Sequence, residues 1–407
     1  MTIRWRGATL TYTCTGLEER PAAHELRRPL PRAVVLCAGL LLCMLFGNAA
    51  NAQGDDPQEY RTRDAPEGVQ ATDAQRTTPL ASTSASGGET LPWFRQTPEH
   101  GKFALIITGA AASPEIRQRF QDWSADLYQA LLDEYGYPPE HIQLLVDDGD
   151  NVGRLRDVVN GSSRIADVQA AIDTLQQQAG DGDQLTVFLV GHGSATFGDA
   201  KFNNVGPDMT GAEFAAMLDV FQAQDLVIIN TASASFEFSR ELSALGRIVI
   251  SATRSPAERY DPVFAGYFIE ALQDHRADLD RNGMVSILEA FNFASGRVAE
   301  WYREQGRLAT EHAVLDDNGD GMFSREPGAF QGDGLLAQIA YVDVVRADED
   351  KTSAEALTAR AQMQALERDI IILRNQKDNY LDQDYWDRLE SLLIDLALAT
   401  RRYHASP

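Results

Sequence analysis

Residues Leu185–Ser194 read LTVFLVGHGS. The first six are apolar or β-branched without interruption, which suits a strand buried on both faces of a parallel sheet. The run stops at Gly191-His192-Gly193-Ser194, where two glycines allow a sharp turn and leave an imidazole at the strand's carboxyl end. In open α/β sheets that edge is where ligands and catalysis sit. A second run, Asp225–Asn230 (DLVIIN), ends the same way in Thr231-Ala232-Ser233-Ala234-Ser235. Two neighbouring strands thus offer a histidine and a cluster of small hydroxyls at one rim.

Strands and helices alternate outward from this pair. Phe103–Thr108 reads as a strand, and Ser113-Pro114 caps a helix whose apolar spacing runs through Phe120, Trp123, Leu127 and Leu131 to Gly136. His141–Val146 is a strand and Ile165–Gln178 a helix. Thr210 and Glu213 form a capping box opening a helix to about Phe221. Arg247–Ala252 is a further strand, followed by a polar loop, Thr253–Asp261, and a helix from Pro262 to about Gln273. The alternation predicts an α/β fold, a mostly parallel sheet with helices on both faces.

The order of strands, the HGS after one and the Ala-Ser-x-Ser after the next resemble the caspase–haemoglobinase fold, in particular the legumain-type (C13) cysteine peptidases, over residues 102–275. That family carries its catalytic histidine in Asp-His-Gly-Ser and its nucleophile in Glu-Ala-Cys-Glu-Ser-Gly. The resemblance implies that His192 takes the general-base position, Ser233 the cysteine position, and Ser235 the serine after it. It also implies backbone amides near Gly193 as an oxyanion hole, and pocket roles for Arg119 and for Arg254 in the loop Ile250–Arg259. The departures are specific. Serine replaces the cysteine, Ala111 stands where the family has an asparagine, and Ala234 stands in place of an acidic neighbour. A serine hydroxyl needs an aligned base where a thiol is already partly ionised at neutral pH. Two readings follow: a hydrolase using a His192/Ser233 dyad, or a catalytically silent member of the fold that acts as a binding or scaffold module.

Asp278–Glu289 fits a calcium-binding EF-hand loop position by position. Side-chain oxygens come from Asp278, Asp280, Asn282 and Ser286, a backbone carbonyl from Met284, glycine stands at Gly283, a hydrophobe at Val285 and the bidentate carboxylate at Glu289. A second stretch, Asp316, Asn318, Asp320, Met322 to Ser324, repeats the first nine positions, but Pro327 stands where the last carboxylate belongs. Paired loops of this kind pack together, so segment 276–330 is expected as one calcium-ordered unit.

The ends of the chain carry other signals. Arg27, Arg28 and Arg32 precede the apolar stretch Ala33–Phe46, and Ala50-Asn51-Ala52 is a small-x-small cleavage pattern, so residues 1–52 read as an export signal cut after Ala52 and the mature protein as periplasmic or secreted. The apolar core is too short for a permanent membrane span. All three cysteines, Cys14, Cys37 and Cys43, lie in that region, which leaves the mature chain without disulfide, thiolate metal site or cysteine nucleophile. Residues 53–100, exemplified by TTPLASTSASGGET, have too few large apolar groups to offset their ordering entropy and read as a linker. Beyond Gln331 two charged, amphipathic stretches, Glu355–Asn375 and Tyr380–Arg402, predict a helical hairpin for packing or self-association. The net charge of −24 over 407 residues repels phosphate backbones and argues against a nucleic-acid partner. A protein or peptide is the expected partner or substrate.

Overall fold

The computed structural model describes residues 3–5, 8–10 and 93–406, apart from 96, 98, 197–198, 282, 329–331 and 345–352. The apolar core and cleavage pattern of the expected export signal, and all but the last few residues of the expected linker, lie outside the described residues. The chain divides into two units, residues 1–83 and 84–407. In the first, β1 (Ile3–Trp5) pairs antiparallel with β2 (Ala8–Leu10). The second carries the main sheet and its helices.

Its centre is a six-stranded sheet. β3 (Lys102–Thr108), β4 (Ile142–Val146), β5 (Gln184–Val190), β9 (Asp225–Asn230) and β10 (Arg247–Ser251) run parallel, and β11 (Val314–Asp316) closes one edge antiparallel to β10, in the order β11-β10-β9-β5-β3-β4. Side chains alternate between two cores, as a strand's two-residue period requires. Ile106, Phe188, Val227, Ile229, Ile248 and Ile250 pack on one face under α1 (Pro114–Asp133), α5 (Phe264–Leu272) and α6 (Ile287–Glu304). Leu105, Ile107, Val187, Leu189, Ile228 and Val249 pack on the other under α2 (Ile165–Gln178), α3 (Gly211–Leu218) and α4 (Phe236–Arg240). The α/β class with helices on both faces, expected from the pattern, is thus what the chain adopts.

The capping chemistry sets where helices begin. The Ser113 hydroxyl accepts the Ile116 N–H at the head of α1, and Thr210 and Glu213 exchange the two bonds of a capping box at α3. A three-stranded antiparallel sheet of β6 (Gly193–Thr196), β7 (Asp199–Phe202) and β8 (Met209–Thr210) follows directly from the rim histidine. Neither this sheet nor the short α7 (Leu335–Ile339) has a sequence pattern long enough to announce it. At the end of the chain α8 (Ala354–Asn375) and α9 (Asp382–Ala405) form the expected pair of helices, joined across by Arg402 donating to Gln362 at 2.9 Å. Among the described residues no helix is long and apolar enough to cross a membrane.

Candidate functional site

β5 and β9 are hydrogen-bonded neighbours, so their carboxyl ends bring His192 and Ser233 to one rim. The approach is close. A Cβ on Gly193 would lie 2.6 Å from the Ser233 carbonyl and 2.9 Å from that of Lys201, so only glycine fits there. Gly191 is likewise held against the Phe202 ring and the Cα of Gly109.

The two side chains at this rim are engaged separately. The His192 ring stands edge-on to Phe120, with centroids 5.1 Å apart, and its Nε2 lies 3.1 Å from Oδ1 of Asp261. Asp261 is also clasped by Arg119, whose Nη2 donates to both carboxylate oxygens at 2.6 and 2.5 Å. The guanidinium sits over the Trp123 ring, 5.2 Å from its centroid. Partial burial works to raise the Asp261 carboxyl, but the hydrogen bonds from His192 and Arg119 and their charges outweigh it and hold Asp261 below the ordinary aspartate value. Ser233 is only 2 % exposed. Its Oγ accepts the Gly193 N–H at 3.3 Å and donates to the Gly193 carbonyl at 3.4 Å. No hydrogen bond joins His192 to Ser233. The expected dyad is therefore not assembled: the backbone of Gly193 satisfies the hydroxyl, and Asp261 satisfies the imidazole.

The remaining residues expected in a pocket take different roles. Ser235 is buried in a hydroxyl cluster, 2.9 Å from Ser251 Oγ and 3.1 Å from Thr253 Oγ1. Arg254 donates from its backbone N–H and Nε to Glu258. Between the two serines Ala234 sits at φ +50°, a left-handed conformation that alanine seldom adopts, and its N–H donates to the Glu258 carbonyl at 2.9 Å. Glu258 in turn receives the His312 N–H and lies 2.5 Å from His312 Nδ1.

Sequence reasoning missed Asp261, Glu258 and Glu311. Asp261 is 69 positions from His192 in a loop with no local motif, so only the fold pairs them. Glu311 accepts the N–H groups of Val263 and Phe264 at 2.9 and 3.0 Å, capping α5, whose N-cap residue is a valine with no side-chain acceptor. Burial pushes Glu311 up to about 7 against those bonds, and the negative charges of Glu258 and Asp261 add to the rise.

No protein-family model matches this chain, and no curated protein matches it. Among solved structures it is similar to a protein of Geobacter sulfurreducens at 12 % identity, over 60 % of this chain and 100 % of that one, with a TM-score of 0.37. It is similar to caspase-1 of Spodoptera frugiperda at 10 % identity, over 56 % and 90 %, with a TM-score of 0.36. A secreted C11 cysteine protease from Bacteroides thetaiotaomicron, in complex with an irreversible peptide inhibitor, is similar at 12 % identity over 55 % and 67 %, with a TM-score of 0.35.

A second group of candidate residues lies before α6. Asp278, Asp280 and Glu289 each offer a carboxylate oxygen, all within 4.8 Å of one another. Asp278 accepts the N–H of Gly283, which has φ +84°, and Glu289 accepts the N–H groups of Leu279 and Asp280. Glu289 is also the third residue of α6 and forms a capping box with Ser286, so one carboxylate closes the loop and starts the helix. Met284 is buried, and Asn282 lies outside the described residues.

The two acidic loops have different partners, contrary to the expectation that they pair. The first bridges to segment 340–342: Val342 donates to the Val285 carbonyl and Ile287 to that of Ala340, both at 2.8 Å. The second is clipped to the sheet edge, because Asp316 belongs to β11 and its oxygens accept the N–H groups of Asn318, Gly319 and Gly321 and the hydroxyl of Ser243. Asn318 and Asp320 accept the N–H groups of Asp320 and Met322, and the Met322 side chain faces solvent. Among the described residues the only trio of converging carboxylates is in the first loop.

The Glu311 cap has a pH signature. An acid whose folded-state pKa is raised contributes stability that is present below its ordinary value of 4.5 and is lost as pH rises through about 7. Chemical denaturation of wild type and Glu311→Gln between pH 4.5 and 8 should show wild type losing on the order of 2 kcal/mol relative to the variant as pH rises. Parallel pH profiles would contradict the assignment.

Proposed function

We propose that this chain is an exported protein of caspase-like, legumain-related build whose strand-end rim binds a protein or peptide partner without cleaving it, and whose 278–289 loop takes a calcium ion. The observation carrying the first part is the separate engagement of Ser233 and His192. A serine becomes a nucleophile only with a base aligned on its hydroxyl, and here that hydroxyl is covered and bonded to the Gly193 backbone. The Arg119–Asp261–His192 row and the half-exposed Arg254 give the rim alternating charge for a partner to read.

The donor set of the loop supports the second part. Asp278, Asp280 and Glu289, with the Met284 carbonyl, the Ser286 hydroxyl and Asn282 as further oxygen donors, form a hard, oxygen-only set of the kind calcium prefers. A bound cation would offset the mutual repulsion of the three carboxylates and lock the start of α6 to segment 340–342. The second loop, without a third carboxylate, would bind weakly or not at all.

One observation favours a hydrolase instead. Asp261 holds the imidazole by one ring nitrogen, here Nε2 where the acid of a serine triad holds Nδ1, and catalytic hydrogen bonds are often absent until substrate arrives. A fluorophosphonate and a panel of peptide acyloxymethylketones discriminate the two. The binding reading predicts no adduct by intact mass, with calcium or with chelator. A single adduct on Ser233 that disappears in His192→Ala would establish the dyad. Millimolar calcium should raise the melting temperature of the wild type, and Glu289→Gln should remove that rise. A melting temperature indifferent to calcium in the wild type would contradict the metal assignment.

A further inference from the structure

Helix α9 covers one of its faces and leaves another open. Tyr385 and Ala399 are buried, Leu389, Leu392 and Leu396 are half-buried, and Arg402 ties the helix to Gln362 of α8. A second row at three- and four-residue spacing, Glu390, Ile394, Ala397, Leu398 and Arg401, is exposed throughout. Ile394 is 53 % and Leu398 48 % exposed. The outer side of a surface helix is ordinarily polar, so an apolar centre on it is a surface built to be covered.

The charges flanking this centre are opposite. Glu390 precedes it and Arg401 follows it, about 16 Å apart along the helix at 1.5 Å per residue. Both are exposed, and among the described residues neither makes an ion pair. The asymmetry runs the length of α9: Asp382, Asp384, Asp387 and Glu390 outweigh Arg388 in its first half, and Arg401, Arg402 and His404 close its last turns. The net charge of −24 repels a second copy at long range, but at physiological ionic strength that repulsion is screened beyond about 8 Å, so the charges in contact decide.

We propose that the exposed face of α9 is a self-association surface, on which a second copy of this chain packs its own α9 antiparallel about a two-fold axis midway between Glu390 and Arg401. Such an isologous contact uses one patch twice. The two-fold sets Glu390 of each copy opposite Arg401 of the other and gathers Ile394, Ala397 and Leu398 of both copies between the two ion pairs. Parallel packing would instead set Glu390 on Glu390 and Arg401 on Arg401, an arrangement that like charges oppose. The acidic first half of the helix likewise disfavours an anionic lipid surface as the occupant. The surface depends on neither the rim nor the acidic loop.

The test is sedimentation equilibrium of the full mature chain, from micromolar to hundreds of micromolar, as wild type, Ile394→Asp, Glu390→Arg, Arg401→Glu and the double swap Glu390→Arg/Arg401→Glu. Wild type should rise with concentration toward the mass of two chains. By symmetry each single reversal makes both ion pairs repulsive, so each should weaken the dimer about tenfold, and Ile394→Asp at least as much. The double swap should return to within about threefold of wild type, because it restores both pairs with their signs exchanged. The double variant carries every change the single ones make to the helix itself, so its recovery isolates the contact between copies. All the altered side chains are exposed, and unchanged helical circular dichroism should accompany each variant. A wild type that keeps the mass of one chain at every concentration would overturn the proposal. So would a dimer indifferent to these substitutions, or a double swap as weak as the single reversals.

Discussion

The close approach of Gly193 to the end of β9 is the constraint on which the rim depends. With no room for a side chain at Gly193, its N–H and carbonyl lie within reach of Ser233 Oγ. That single contact covers the hydroxyl and aims the chain into the small β6–β8 sheet. It leaves the His192 ring to find its partner elsewhere, and Asp261 supplies it. Arg119 then anchors Asp261 from α1, so guanidinium, carboxylate and imidazole form one row along the rim.

Electrostatics organise the rest of the molecule in the same manner. A chain with a net charge of −24 must place many carboxylates, and the buried ones are satisfied chiefly by backbone N–H groups. Glu311 caps α5, Asp317 accepts the N–H groups of Gly334 and Ala337 at the start of α7, and Glu213 and Glu289 complete capping boxes. The first acidic loop differs, because its three carboxylates converge on one another. Among the described residues it is the only such trio.

Much of this was legible in the residues. Buried strands such as LTVFLV and DLVIIN, with Ser113-Pro114 and Thr210/Glu213 as helix starts, set the α/β class and the neighbouring rim positions of His192 and Ser233, because strand periodicity and capping are local. Helix α2 spans the residues its apolar spacing marks, Ile165–Gln178. What could not be read is the set of contacts that tertiary folding alone creates. Asp261 reaches His192 across 69 positions, and Glu311 caps a helix whose own sequence lacks a cap. The repeat at Asp316 invited pairing of two loops, but its first residue was recruited into the sheet edge as β11, and segment 340–342 took the pairing position instead.

The central claim is that the rim imidazole answers to Asp261 and not to Ser233. Its most direct test is a pH titration of the His192 ring nitrogens by ¹⁵N NMR in wild type, Ser233→Ala and Asp261→Asn. The account predicts that Ser233→Ala leaves the His192 titration and tautomer unchanged, while Asp261→Asn shifts both. A titration moved by Ser233→Ala and indifferent to Asp261→Asn would contradict it and return the histidine to the serine.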